Sequence, residues 1–134
     1  MKFTVFALAL ISSTNSVFAA DGCIGFAITS PKSCSKEFKL GAGTPQTIKW
    51  ALGDSCVEKI VNVELVSKVE SDGASSSRSI VLQNEAIPSK DGQTVVQLPK
   101  DFIPNVDHVF EVRGVTKDGQ ICKAESRKFT ICEQ

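Results

Sequence analysis

Beyond residue 20 the chain alternates rather than cycles. Apolar and polar residues exchange places at every second position over short runs, and no segment sustains the spacing of an amphipathic helix. Seven β-prone runs stand between clusters of Gly, Pro, Ser and Asp, at about 25–30, 45–52, 60–68, 78–84, 93–98, 107–116 and 125–132. In the second, Ile48, Trp50 and Leu52 share one face and Lys49 points to the other. In the third, Val61, Val63 and Leu65 alternate with Asn62 and Glu64. Phe110 and Val112 alternate with Glu111 and Arg113 in the sixth, and Phe129 and Ile131 with Lys128 and Thr130 in the last. A strand sends successive side chains to opposite faces, so this patterning describes sheets covered on one side and wetted on the other, hence antiparallel.

The connections agree. Lys117-Asp118-Gly119-Gln120 reads as a turn that joins the last two strands as a hairpin, and Lys90-Asp91-Gly92 as another turn. Residues 71–77, Ser71 to Ser77, read as a solvated hairpin tip whose serines are the one cluster open to O-glycosylation. Gly41-Ala42-Gly43 reads as a bend, and Pro99 and Pro104 bracket a connection that continues neither neighbouring strand. Seven short one-sided strands in a chain of 134 residues predict an all-β fold. The expected form is a seven-stranded immunoglobulin- or fibronectin-III-like antiparallel β-sandwich, stapled by disulfides. Trp50 is expected as the anchor between sheets, with Phe26, Phe110 and Phe129 in the core. Phe38 and Phe102, both in connections, are the aromatic candidates for exposed contacts.

The amino-terminal residues read as an address instead of a fold. Lys2, the apolar run from Phe3 to Ile11, a polar stretch and the small residues Ala19 and Ala20 form the layout of a secretory signal peptide over 1–19, leaving 20–134 as one domain. The apolar run is less than half of the ~20 residues a membrane span needs. The expectation is therefore an exported protein with no membrane span, extracellular or held at a cell wall. With 15 basic and 15 acidic residues there is no basic excess for nucleic acid to exploit.

Export changes how the five cysteines are read. Cys23, Cys34, Cys56, Cys122 and Cys132 contain no CxxC spacing, which disfavours a zinc site or a redox pair, and an oxidising compartment makes disulfides the default. If strands run alternately down and up, Cys56 and Cys122 fall at one end of the sandwich and Cys34 and Cys132 at the other. The expected bridges are Cys56–Cys122 and Cys34–Cys132, with Cys23 left over and exchange of partners around Cys122 as the alternative. An odd thiol is an inert buried group, a reactive one, or the link of a disulfide-bonded dimer.

Chemistry is harder to find. His108 is the sole histidine, and no GxSxG or HExxH pattern gives it a nucleophile or a metal to serve, so it reads as structural. The carboxylates alternate outward with lysines along the strands. No catalytic, cofactor-binding or metal-ligating residue is assigned, no cofactor is expected, and the chain is read as not an enzyme.

Six short segments occur in a fixed order over residues 26–131. They are Ile28-Thr29-Ser30-Pro31, Leu40-Gly41-Ala42-Gly43, Gln46-Thr47-Ile48-Lys49-Trp50, Val96-Gln97-Leu98-Pro99, Val109-Phe110-Glu111-Val112 and Glu125-Ser126-Arg127-Lys128-Phe129-Thr130-Ile131. The series resembles the amino-terminal immunoglobulin-like domain of fungal killer-toxin-resistance proteins of cell-wall β-1,6-glucan assembly, and of related Ser/Thr-rich, often GPI-anchored surface proteins. The chain departs from that family in having His108 and Val109 where a tyrosine is common, in more cysteines, and in showing no Ser/Thr-rich stalk. The resemblance implies a secreted, non-catalytic module of the fungal cell surface or wall. Its expected partner is a wall polysaccharide or wall protein, met by loops around 53–59, 85–92 and 117–122 at one sandwich end. The alternative is a freely released, disulfide-rich effector or inhibitor acting on an external protein.

Overall fold

A computed structural model describes residues 22–32, 37–71 and 73–133. The expected leader and Cys34 lie outside them. The described chain is all-β: β1 (Ala27–Ser30), β2 (Lys39–Gly41), β3 (Pro45–Ala51), β4 (Val57–Ser71), β5 (Ala74–Gln83), β6 (Ile87–Pro88), β7 (Gln93–Gln97), β8 (Asp107–Thr116), β9 (Ile121–Glu125) and β10 (Thr130–Cys132), with one 3₁₀ turn at Ser89–Asp91. One sheet has the order β1-β3-β7. A second has β5-β4-β8-β9, with β6 paired to β4, and β2 with β10 forms a third.

The first two sheets bury their inner faces against each other in a sandwich-like core. Ile48 and Trp50 from β3 and Val96 from β7 meet Ile60, Val63 and Leu65 from β4, Phe110 and Val112 from β8, and Cys122 and Ala124 from β9. Trp50 does bridge the layers, and its Nε1–H donates to the Ser89 carbonyl at 2.8 Å, so the indole is buried without an orphaned donor. Phe26, Phe110 and Phe129 are buried as expected.

β4 differs from its sequence pattern in an instructive way. Its register against β8 shifts between Ile60 and Asn62. The extra residue changes the parity of the strand, so Ile60 and Val63 both face the core and Val61 is left half-buried. On the other face, Glu64 is 8% exposed and stands directly opposite Glu111. Like charges in that position repel. Arg113 offsets this by reaching Glu111 at 3.1 Å and Glu64 at 3.9 Å. These carboxylates are partnered and largely covered, where the alternation had placed them in solvent.

Four further expectations are corrected. Ten strands, instead of seven, are found among the described residues. Residues 74–77 are not a loop but the first four residues of β5, paired with β4 from Ser71↔Ala74 to Lys68↔Ser77. The last expected strand is broken at Ser126, whose N–H donates to the Phe110 carbonyl at 2.9 Å while its hydroxyl accepts from the Phe110 N–H at 2.9 Å. That double bond ends the β8–β9 hairpin and sends the chain across to pair with β2 in parallel, Thr130↔Lys39 to Cys132↔Gly41.

The fourth correction concerns the cysteines. The bridge joins Cys23 to Cys122, with Cα atoms 5.3 Å apart, and Cys56 carries a free, exposed thiol. Cys56 leads into β4, Cys122 lies on the inward face of β9, and β8 runs between them. Two strand spacings, about 9–10 Å, exceed the reach of a disulfide. Cys23 lies on the turn before β1, which approaches Cys122 from the core side. Cys132 is likewise a free, exposed thiol, and its expected partner Cys34 lies outside the described residues. Cys132 stands opposite Gly41, at the end of β2.

The turn before β1 is pinned by two glycines packed back to back. Gly25 (φ +88°) and Gly53 (φ +57°) both occupy the left-handed region, and a Cβ on Gly53 would lie 2.6 Å from the Gly25 Cα. Gly119, at φ +89°, has open space around it. Gly119→Ala should cost about 1–2 kcal/mol through backbone strain alone. Gly53→Ala adds overlap with a neighbouring backbone and should cost about 3 kcal/mol or more. Urea midpoints of the two variants check the difference.

Candidate functional site

The groove starts from the connection 98–106, which the two prolines keep out of either sheet. Its entry is tied down by the Leu98 N–H to Thr44 carbonyl bond at 3.0 Å and the Gly43 N–H to Pro99 carbonyl bond at 3.1 Å. Its exit turns through Asn105, a non-glycine residue at φ +62°, a conformation asparagine tolerates better than most side chains. Facing it is the β2–β10 pair, joined to the main sheet where His108 and Phe129 exchange backbone hydrogen bonds at 2.8 and 2.9 Å.

Between them lies a depression of about 840 Å³ walled by Phe38, Phe102, Pro104 and Phe129. Phe38 and Phe102, the two aromatics the sequence left for contacts, are both half-buried and both line it. Phe38 meets Phe129 edge-on at 5.9 Å, and Phe129 meets the buried Phe110 at 4.8 Å, so the wall is continuous with the core.

A second depression of about 600 Å³ adjoins the first and shares Asn105, Asp107 and Lys128 with it. Here the lining is polar: Ser75, Ser76 and Ser77 from β5, Glu70 and Lys68 from β4, and Glu125 from β9. Lys68 and Glu125 stand 3.8 Å apart and are both substantially exposed, a pairing worth little in water. The combined groove has an apolar wall, hydroxyls, an amide, and charges of both signs. The serines were legible only as a flexible tip, because nothing in their composition showed that β4 would extend far enough to pair with them.

The opposite end of β4 holds the loops expected for recognition. Loops 53–59 and 85–92 do meet, through the Ser89 hydroxyl donating to the Val57 carbonyl at 2.7 Å and the pairing of Lys59 with Pro88. They line a shallow, mostly apolar hollow of about 580 Å³ that does not include residues 117–122.

His108 lies behind the groove wall, 1% exposed, against Phe129. Ser67 Oγ and His108 Nδ1 are 2.9 Å apart. A hydroxyl both donates and accepts, so this contact forms with either tautomer of the ring, while Nε2 has no hydrogen-bond partner among the described residues. Burial holds the His108 pKa below its ordinary value of 6.5, against opposing pulls from the Ile103 backbone and the Asp107 carboxylate. Ser67 and His108 are both buried, so this pair has no substrate access. Among the described residues no three His, Cys, Asp or Glu side chains group as ligands for a metal ion, and no helix is long and apolar enough to cross a membrane.

No family model and no curated protein sequence matches the chain. Among solved structures it is similar to the sporulation control protein Spo0M of Bacillus subtilis, with a TM-score of 0.38 and 11% identity, over 80% of this chain and 49% of that one. The chain thus spans about half the length of Spo0M. It is also similar to the superoxide reductase neelaredoxin of Ignicoccus hospitalis, with a TM-score of 0.41 and 10% identity, over 87% of each chain. Neither likeness transfers an activity. The second does correct the reading of the chain as not an enzyme.

The buried imidazole makes stability depend on pH. The unfolded chain takes up a proton near pH 6.5, whereas the folded state resists it. Stability is therefore complete above that value and falls as pH drops from 6.5 toward the lowered folded pKa. Urea midpoints measured from about pH 7.5 down to about pH 5 should decline, and His108→Gln should flatten the slope in that window whatever its own cost.

Proposed function

We propose that the chain is a secreted, immunoglobulin- or fibronectin-III-like module of the fungal cell surface or wall, and that the groove between 98–106 and β10 holds a stretch of neutral wall polysaccharide such as β-glucan. One observation carries the reading: half-exposed Phe38 and Phe102 form an apolar wall directly beside a floor of serine hydroxyls, the Asn105 amide and carboxylates. A pyranose ring needs both kinds of surface. Its C–H face packs on an aromatic wall, and its equatorial hydroxyls donate to carboxylates and accept from amides and hydroxyls. Ligand sites generally combine an apolar lining with a few placed polar groups in this way.

Charge favours a neutral polymer. The chain carries 15 acidic and 15 basic residues, and the groove mixes Lys68 and Lys128 with Glu70, Asp107 and Glu125. No single sign dominates that would attract a polyanion. The groove lies at the other end of β4 from the loops first expected to meet a partner. One of the segments that resemble the killer-toxin-resistance domain, 125–131, borders it and supplies Phe129 to its wall.

Retention on insoluble β-glucan tests the proposal. The native chain should be retained above a denatured control. Phe102→Ala and Asn105→Gly, the latter keeping the backbone conformation available, should each weaken retention about tenfold, equivalent to about 1.4 kcal/mol. Retention no greater than the denatured control would overturn the polysaccharide reading.

A further inference from the structure

Three of the cysteines gather around one peptide unit at the end of the molecule away from the groove. The Cys56 N–H donates to the Gly22 carbonyl at 2.8 Å, and the same oxygen lies 3.7 Å from Cys122 Sγ. That sulfur is in a disulfide and has no proton to give, so the second distance is a close approach and not a hydrogen bond. Gly22 immediately precedes Cys23. The free thiol of Cys56 therefore sits one backbone hydrogen bond away from the residue next to the bridge. The accepting carbonyl belongs to the peptide unit that joins Gly22 to Cys23, so the backbones of Cys56 and Cys23 are one hydrogen bond apart, on the scale of the about 4.4–6.8 Å between Cα atoms that a disulfide spans.

The neighbourhood favours access. Cys56 is exposed and Cys23 half-buried, whereas Cys122 is 1% exposed, so of the two bridged sulfurs the one open to attack is that of Cys23. Packing of Gly25 on Gly53 holds the turn carrying Cys23 against the loop carrying Cys56.

We propose that Cys23, Cys56 and Cys122 form an internal thiol–disulfide exchange site in which Cys56 takes Cys23 from Cys122. The Cys56 thiolate attacks Cys23 Sγ. A Cys56–Cys23 bond forms as the Cys23–Cys122 bond breaks, and the electron pair leaves on Cys122 as a thiolate that takes a proton from water. One disulfide and one thiol are present before and after, so no external oxidant or reductant is consumed. The two forms differ in which element the amino-terminal turn is fastened to: β9 in one, the entrance to β4 in the other. They also differ in where the free thiol is offered, on the exposed 53–56 loop or on the inward face of β9. The site is independent of what fills the groove.

Incubating the full chain without denaturant at about pH 8, where thiolates form readily, then alkylating and mapping the unreduced peptides reads the exchange directly. The expected result is a second population with Cys23 joined to Cys56 and Cys122 alkylated, absent from a Cys56→Ser control. In Cys122→Ser, a glutathione redox buffer should produce the Cys23–Cys56 bridge in place of two glutathione adducts. Wild-type protein in which Cys56 is the only alkylated member of the three would overturn the proposal. A Cys56–Cys122 bridge would overturn it equally, by removing Cys23 as the shared partner. The wild-type measurement stands even if Cys122→Ser does not fold.

Discussion

The antiparallel ladder between β4 and β8 runs from Val57↔Thr116 to Lys68↔Asp107, and each of its ends supports a different piece of chemistry. At one end β4 continues past the ladder to pair with β5, and β8 begins at Asp107, which lines both depressions of the groove. At the other, Val57 and Thr116 bring the cysteine loop beside the β8–β9 turn. Register is the constraint that holds this together, because a slip of one residue exchanges the two faces of a strand. Here a slip would carry Glu64 and Glu111 into the layer occupied by Leu65 and Phe110. Burying two unpaired carboxylates is far more costly than the hydrogen bonds regained.

The same ladder explains how the groove is made stiff. Phe110 on β8 is fully buried and carries Phe129, which in turn carries Phe38. Each ring rests on one more buried than itself, so the outermost aromatic inherits the order of the core. On the opposite face Arg113 between Glu64 and Glu111 ties the two strands with the only cation among three charges. Breaking that arrangement on the cationic side would leave two facing carboxylates with no counter-charge.

Period-two patterning carried most of the architecture, since Ile48, Trp50, Val63, Leu65, Phe110 and Val112 all face inward where alternation placed them. It failed where a local event breaks the period. The shift between Ile60 and Asn62 is invisible in composition, and the break at Ser126 depends on hydrogen bonds to Phe110, sixteen residues away. The cysteine pairing failed for a related reason. Assigning residues to ends of a sandwich locates them along the strands but not across the sheet, and the strand between Cys56 and Cys122 is what separates them. Phe38 and Phe102 were recognisable as aromatics without a core position. Their meeting in one groove was not, because it follows from β10 crossing to β2, a parallel pairing that alternation cannot encode.

That crossing also sets an order of assembly. β2 is only three residues long and its one partner strand among the described residues lies about ninety positions further on, so that partner is missing while the intervening chain is still emerging. Closing so long a loop for so few hydrogen bonds is slow and weakly driven. The aromatic wall therefore comes into being last, after both large layers have joined, and a nascent chain lacks the groove until then.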